Sequence, residues 1–397
     1  LFCGDYMMHR GVKRTAMYHR RVGGKGRTLN NKGFDIPVRP LRKLTEKADL
    51  SFCNLECPIV FPPKGDTYCF KTAGAFWFKA PAAAARALYR AGFRVVSIAN
   101  NHMDNAGHEG VKSTVDILHK IGIAPVGGGK TFDEAHKPVV VTVQGVPIAF
   151  VAYCSSKLGR DINTSKSEDP HVCRTNPLKD DNEQLWQDLE AARKRGKLVV
   201  LSFHWGPREY TYQPDKRIVA FAKKCAEAGA DIIVGHHPHV LHKMERYDCA
   251  DGRRCLIMYS LGNLVSNQSP RYLSDSPTRD EDKARRREGA AVLVTLNKKK
   301  TTIKGVRVYP LWTDNNYFDY LTGRDTPLVR VVAIDDEINE LQKRVKFLKE
   351  RKVRIDKALR GILPDKRPSK AIRKPSYAAS VTSAKGSKAV EPLPGPP

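Results

Sequence analysis

The sequence predicts an α/β protein, a four-layer α/β/β/α sandwich, on three observations. Short apolar runs bounded by turn residues recur through the first three hundred residues, and segments of helical period lie between several of them. The run Leu198 to Phe203, LVVLSF, is apolar almost throughout, which suits a strand in a sheet covered on both faces. The late stretch AAVLVTLNKKKTTIKGVRVYP has the pattern of an antiparallel hairpin.

Taken in order, LFCGD at the start reads as the end of a strand already under way. Further strands are expected from Ala48 to Cys53, Phe93 to Ile98, Val139 to Val143, Val146 to Tyr153, Leu198 to Phe203, Asp231 to Val234, Leu256 to Tyr259, Ala290 to Leu296 and Ile303 to Val308. Helices are expected from Ala82 to Ala91, Glu109 to Ile121, Glu183 to Arg195 and Lys216 to Ala228. Pro62 to Lys79 carries turn residues without a period, and Asn267 to Glu288 is polar and charged, the pattern of a mobile insertion. Near the end, Ile338, Leu341, Val345, Leu348, Ile355, Leu359 and Ile362 fall at three- and four-residue steps, with Lys352 in the one missing slot. Such a seam implies a helix packed on its own domain or on a second copy. The chain thus divides into a domain over residues 1–335, a basic heptad-patterned helix over 336–363, and a Pro/Ser/Lys-rich tail over 364–397, expected to be disordered because it has too little apolar surface to bury.

Sixty-nine Lys and Arg against 42 Asp and Glu leave a net charge of +27, a field that attracts polyanions of any kind. Nucleic acid is disfavoured among them, since no aromatic platform or reader motif accompanies the charge. No apolar run is long enough to cross a bilayer, which excludes a polytopic membrane protein. The first residue is not Met, so the natural N-terminus, with any export signal or anchor, is expected to lie upstream. Cys3, Cys53, Cys154 and Cys225 sit in apolar patterns as small buried hydrophobes. Cys249 and Cys255 flank a turn, where an oxidising compartment would cross-link them and a reducing one would leave two thiols.

Four segments place oxygen or imidazole donors after expected strands, where α/β sheets build their sites. They are Gly4-Asp5, Asn54-Leu55-Glu56, Asn100-Asn101-His102, and His204 with Gly235-His236-His237-Pro238-His239. Three histidines within four residues are unusual for core packing. In extended backbone His237 and His239 point the same way, each able to reach one of two adjacent cations. Imidazole with carboxylate and amide oxygen suits divalent first-row metals. The run Gly127-Gly128-Gly129-Lys130 lacks phosphate-loop spacing and reads as a turn.

In this order, CGDYMMHR, NLECPI, IANNHMDNAGHEGVKSTVDIL, VGGGKTFDEAHKP, SFHWGPREY, AGADIIVGHHPHVLHKMERY, IMYSLGNLVSNQ and the REG before the final hairpin resemble the CapA family of poly-gamma-glutamate capsule biosynthesis proteins, whose domain is similar to the calcineurin-like metallophosphoesterases. The resemblance covers about residues 1 to 310 and implies a metallo-dependent phosphatase type of sandwich. It further implies two divalent metal ions (Mn, Zn or Fe). Asp5 would hold the first, Glu56 would bridge, Asn101 and His204 would hold the second, and His237 and His239 would be divided between them. His102 is expected to be the acid that protonates the leaving oxygen, Arg10 to contact an anionic substrate, and Asn263, in the segment Ser260 to Asn263, to touch substrate where that loop closes the crevice.

Two departures stand out. The usual Asp-x-His becomes Asp5-Tyr6-Met7, and the usual bridging Asp becomes Glu56. His9 could replace the lost imidazole or face solvent, and His236 could ligate or orient a ligand from behind. The resemblance implies work on an anionic polymer or phosphate ester with other capsule-synthesis subunits, at the cell envelope, with membrane association through an upstream segment. The alternative is a non-catalytic polymer-binding scaffold.

Overall fold

Two sheets lie face to face in the computed structural model, which describes residues 1–20, 31–70, 78–155, 166–179, 182–272, 280–297, 299, 301–341, 344–360 and 380–381. The first sheet runs in the order Val329–Ala333, Thr302–Asn315, Glu288–Asn297, Phe2–Tyr6, Phe52–Leu55, Val95–Ser97, Ala124–Val126. Its last four strands are parallel and its first three antiparallel, and Asn263–Val265 pairs alongside the end of Phe2–Tyr6. The second runs Met244–Asp248, Arg254–Met258, Ile232–His236, Leu198–His204, Val146–Cys154, Val139–Val143, Ser380–Val381, with the four strands from Arg254–Met258 to Val146–Cys154 parallel.

Alternation along Leu198–His204 explains why LVVLSF had to be apolar. Leu198 and Val200 enter the core between the sheets with Phe52, Phe150, Ile232 and Val234, where the Phe52 and Phe150 rings stack at 5.9 Å. Val199, Leu201 and Phe203 point the other way, against Leu185 and Leu189 of helix Glu183–Arg195 and Ile218 and Phe221 of helix Lys216–Glu227. Helices Ala82–Arg90 and Gly107–Ile121 cover the first sheet with Ala84, Leu88, Val115 and Leu118, completing four layers.

The sequence reading did not include the helix Arg10–Tyr18 or the strands Ala124–Val126, Met244–Asp248, Asn263–Val265 and Val329–Ala333. Three- and five-residue strands carry too few alternations to declare a period, and MERYD lies on a sheet edge, where charge is tolerated. The expected mobile insertion is packed where it is described: Ser269, Tyr272 and Arg287 are buried and Glu281–Arg285 is a short helix capped by Asp280. Residues 273–279 of it, and 71–77 of the loop Pro62 to Lys79, lie outside the described residues. The heptad pattern forms two helices, Ile334–Leu341 and Val345–Ala358, with Arg344 left-handed (φ 58°) before the second. Phe347, Leu348 and Ile355 join the main core, so the second helix lies on its own domain. Ile362 and the tail lie outside the described residues, apart from Ser380–Val381. Among the described residues no helix is long and apolar enough to cross a membrane. The nine cysteines are buried thiols, with Cys249 and Cys255 Sγ atoms 2.9 Å apart.

Candidate metal centre

The C-terminal ends of parallel strands from both sheets meet at one edge of the sandwich, each carrying a polar side chain into the gap. Asp5 closes Phe2–Tyr6, Glu56 follows Phe52–Leu55, Asn101 and His102 follow Val95–Ser97, His204 ends Leu198–His204 and His236 ends Ile232–His236. Gly4 permits the convergence. A Cβ there would stand 1.9 Å from the Gly262 carbonyl oxygen, which accepts the Asp5 backbone N–H at 3.0 Å. Beyond His236 the chain is not extended, contrary to expectation. His237 (φ 93°) and His239 (φ 56°) both take left-handed backbone, and this folded path turns their rings to the same centre. Strain of this kind persists where surrounding structure enforces it, and it clusters at functional sites.

The structure brings Asp5, Glu56, Asn101, His204, His237 and His239 together. Asp5 Oδ1 lies 3.0 Å from His236 Nδ1 and Oδ2 lies 3.2 Å from His239 Nδ1. His204 Nε2 is 2.9 Å from Asn101 Oδ1 and 3.1 Å from His237 Nδ1. Glu56 Oε1 is 3.6 Å from His239 Nε2, 3.7 Å from His204 Nε2 and 4.0 Å from His102 Nε2. Asn54, given no role in the sequence reading, is the hub beneath them. Its Nδ2 donates to Asp5 Oδ1 at 2.9 Å and Glu56 Oε2 at 3.3 Å and faces His204 Nδ1 at 3.4 Å, while its Oδ1 accepts from Asn100. The signal was its place two residues before Glu56, on the same face of a strand.

These residues fit a cation. Among the described residues Glu56 Oε1 is buried with no hydrogen-bond partner, facing three imidazole nitrogens just beyond hydrogen-bonding reach. An unsatisfied buried acceptor costs about 1–3 kcal/mol, more when charged, and a positive ion among these donors would remove that cost. Asp5, Glu56 and His204 each offer a donor atom within 4.8 Å of the others. In the ion-free protein, burial pushes the Glu56 carboxyl well above its ordinary range, reinforced by Asp5. Burial also acts to raise Asp5, but the imidazoles of His236 and His239 outweigh it and hold Asp5 well below the ordinary value. Burial acts to lower His239, and the carboxylates of Glu56 and Asp5 raise it to about 9. Asp5 is thus held as the carboxylate, while Glu56 and His239 titrate as a linked pair, the His239 cation being favoured to the extent that Glu56 carries its charge.

Several expected roles change. Burial lowers His102 to about 4, so the ring is neutral at pH 7. Its Nδ1 faces Asn105 Oδ1 at 3.1 Å, an oxygen that also accepts the Phe78 N–H, so Nδ1 carries the proton and Nε2 turns a lone pair to the centre. At rest the ring is therefore neutral, and the acid role expected of it requires Nε2 to take up a proton first. His9 does not face solvent: its Nδ1 accepts the Asn267 N–H at 3.3 Å and its ring packs on Phe78 at 4.5 Å. Among the described residues both nitrogens of His236 lack aligned hydrogen-bond partners, although Nδ1 is close to Asp5. Asn263 is buried and committed, Oδ1 to His239 Nδ1 at 3.1 Å and Nδ2 to Gln268 and the Arg286 carbonyl, so it orients His239 where a substrate contact was expected. Arg10 is exposed on the first turn of Arg10–Tyr18, and among the described residues no hydrogen bond or ion pair ties it to the centre.

Residues 1–268 match the family model described as "Bacterial capsule synthesis protein PGA_cap". The chain belongs to this capsule synthesis family. Among relatives of the PGA_cap family, "Capsule biosynthesis protein CapA" of Bacillus anthracis is 32% identical over 277 residues, 69% of this chain and 61% of that one. "PGA biosynthesis protein CapA" of Bacillus subtilis (strain 168) is 30% identical over 277 residues, 69% of this chain and 65% of its own. The matched region thus spans less than two thirds of either relative. The crystal structure of the calcineurin-like phosphoesterase YfkN from Bacillus subtilis aligns with 88% of this chain and 98% of that one, at 13% identity and a TM-score of 0.41.

Proposed function

We propose that this PGA_cap family member is a metal-dependent hydrolase of the phosphoester type, acting in the synthesis of an anionic capsule polymer. The observation that carries the reading is the orphaned, buried Glu56 Oε1 at the meeting point of two donor sets. Asp5, His239 and Glu56 would hold one divalent ion, and Glu56, Asn101, His204 and His237 a second. His236 Nδ1 stands 3.0 Å from Asp5 Oδ1 and would be the nearby imidazole for a segment, Asp5-Tyr6-Met7, that lacks one. Bound divalent ions would supply Lewis-acid charge to stabilise a phosphoryl oxygen in the transition state.

The chain's own residues do the rest. Asn54 and Asn263 fix the faces of Asp5, Glu56 and His239, so little reorganisation is needed when charge develops. His102 Nε2 handles the proton. An anionic substrate beside it raises its pKa, because opposite charge favours the protonated ring, and the ring can then pass that proton to the leaving oxygen. We place the protein at the cell envelope with other capsule-synthesis subunits, its partner polymer being a polyanion matched to the +27 charge.

The test is metal analysis of purified protein followed by phosphodiester and phosphomonoester assays of wild type and His102→Ala. Two bound ions and turnover lost in the variant are expected. No metal uptake and no turnover by either protein would leave the scaffold reading, which the altered Asp5-Tyr6-Met7 segment favours.

A further inference from the structure

Three consecutive arginines before the Glu288–Asn297 strand each lie over a tyrosine ring. Arg285 Cζ is 3.9 Å from the Tyr212 centroid, Arg286 4.0 Å from Tyr210 and Arg287 5.2 Å from Tyr272. Their other bonds separate them. Arg287 is buried and donates to the carbonyls of Ser269 and Tyr272, and Arg285 pairs with Asp282 at 3.7 Å. Arg286 is only partly buried and makes no ion pair among the described residues; its Nε, like that of Arg285, is buried without a hydrogen-bond partner among them, so what it can offer a ligand is its terminal nitrogens.

Arg286 is tied to the metal centre twice. The Tyr210 ring beneath it lies 6.1 Å from the His239 ring, and the Tyr210 N–H donates to the carbonyl of Pro238, between His237 and His239. The Arg286 carbonyl accepts from Asn263 Nδ2 at 2.9 Å, and Asn263 Oδ1 holds His239. The segment is also braced. Arg351 of helix Val345–Ala358 grips Glu281 with both terminal nitrogens, at 2.7 and 3.0 Å, and Arg354 holds Glu288 at 2.8 Å.

We propose that Arg286 forms an oxyanion-binding subsite at the mouth of the centre, seating a phosphate or carboxylate group of the substrate. This rests on reading the centre as a hydrolytic site and assigns that site a substrate-binding residue. A guanidinium held over an aromatic ring can still turn its two terminal nitrogens to two oxygens of one anion, a geometry that suits phosphate and carboxylate. Arg285 and Arg287 spend their charge on protein groups, whereas that of Arg286 is open to a ligand. Arg351 is a positioning residue, holding the segment through Glu281 and Glu288.

Manganese-loaded wild type, Arg286→Ala and Arg286→Lys would be compared in two arms: kcat and KM for p-nitrophenyl phosphate, and affinity for a fluorescein-labelled γ-linked glutamate oligomer by anisotropy. The alanine variant should weaken KM or oligomer affinity about tenfold with kcat within about threefold, and lysine should recover part of the loss. An effect in the first arm alone assigns the subsite to phosphate, and in the second alone to carboxylate. Changes under about twofold in every arm that gives a wild-type signal overturn the subsite, as does wild type that neither binds nor reacts. Wild type that binds oligomer through Arg286 but never turns over sinks the hydrolytic reading and leaves the subsite standing.

Discussion

Replacing Glu56 by glutamine keeps the shape of the buried side chain and removes the charge the centre needs for a cation. In ion-free protein the Glu56 carboxyl is raised well above its ordinary range by burial. A folded-state pKa above the unfolded value gives stability that is present at low pH and lost as pH rises through the folded value. At pH 8 the ion-free wild type therefore keeps a proton at Glu56 at increasing cost or exposes a buried, orphaned charge, and glutamine does neither. Glutamine keeps a polar atom in that place but cannot charge there, so Glu56→Gln should be more stable than wild type in chelator by about 1–2 kcal/mol, the order of a single pKa unit of differential protonation. A divalent ion at a hundred times its dissociation constant should then add about 2.7 kcal/mol to wild type and much less to the variant. Urea midpoints measured at pH 8 with chelator and with manganese should consequently cross. If both proteins gain equally from the ion, Glu56 does not hold it and the argument from its orphaned oxygen fails.

Metal affinity should rise between pH 6 and 9, with proton release on binding, since the linked pair of His239, raised to about 9, and Glu56 must give up what it holds; calorimetry in buffers of different ionisation enthalpy reads the number. In ion-free protein the raised His239 pKa contributes stability fully present below about 6.5 and lost as pH climbs through about 9, worth about 3 kcal/mol at most, and a pH series of urea midpoints in chelator follows it. Asn263→Ala removes one of the two oxygens that face His239 Nδ1, leaving Asp5 Oδ2, and should weaken metal binding about tenfold, with little change in far-UV circular dichroism. Gly4→Ala drives a Cβ to 1.9 Å from the Gly262 carbonyl and should cost several kcal/mol, on the order of 3, in a urea melt; a variant as stable as wild type would contradict the close approach that sets Asp5.

Long or strongly apolar elements were legible from their own residues. Glu183–Arg195 and Val139–Val143 match the expected bounds, because each declares its period over its whole length. The donors at strand ends were legible for a related reason: parallel strands of a sheet aim their C-terminal ends at one edge, so order along the chain already pointed to one centre. Asn54 carried one mark, its place two residues before Glu56 on a strand, whereas Asn105 and Asn263 were not legible as positioning groups, since a single asparagine shows nothing in its own neighbourhood of the distant ring it orients. Arg286 was lost inside a stretch whose charge read as a solvated insertion.

By itself the sequence determined the sandwich, its alternating core and the set of donors, because these follow from periodicity and from residues that must sit at strand ends. Only the tertiary structure decided how the donors meet. The left-handed turns at His237 and His239, the tautomer of His102 set by Asn105, and the charge left between Asp5, Glu56 and His239 each arise from groups far apart in the chain. Their energies exist only once the two sheets close over them and exclude water, and no local pattern carries that information.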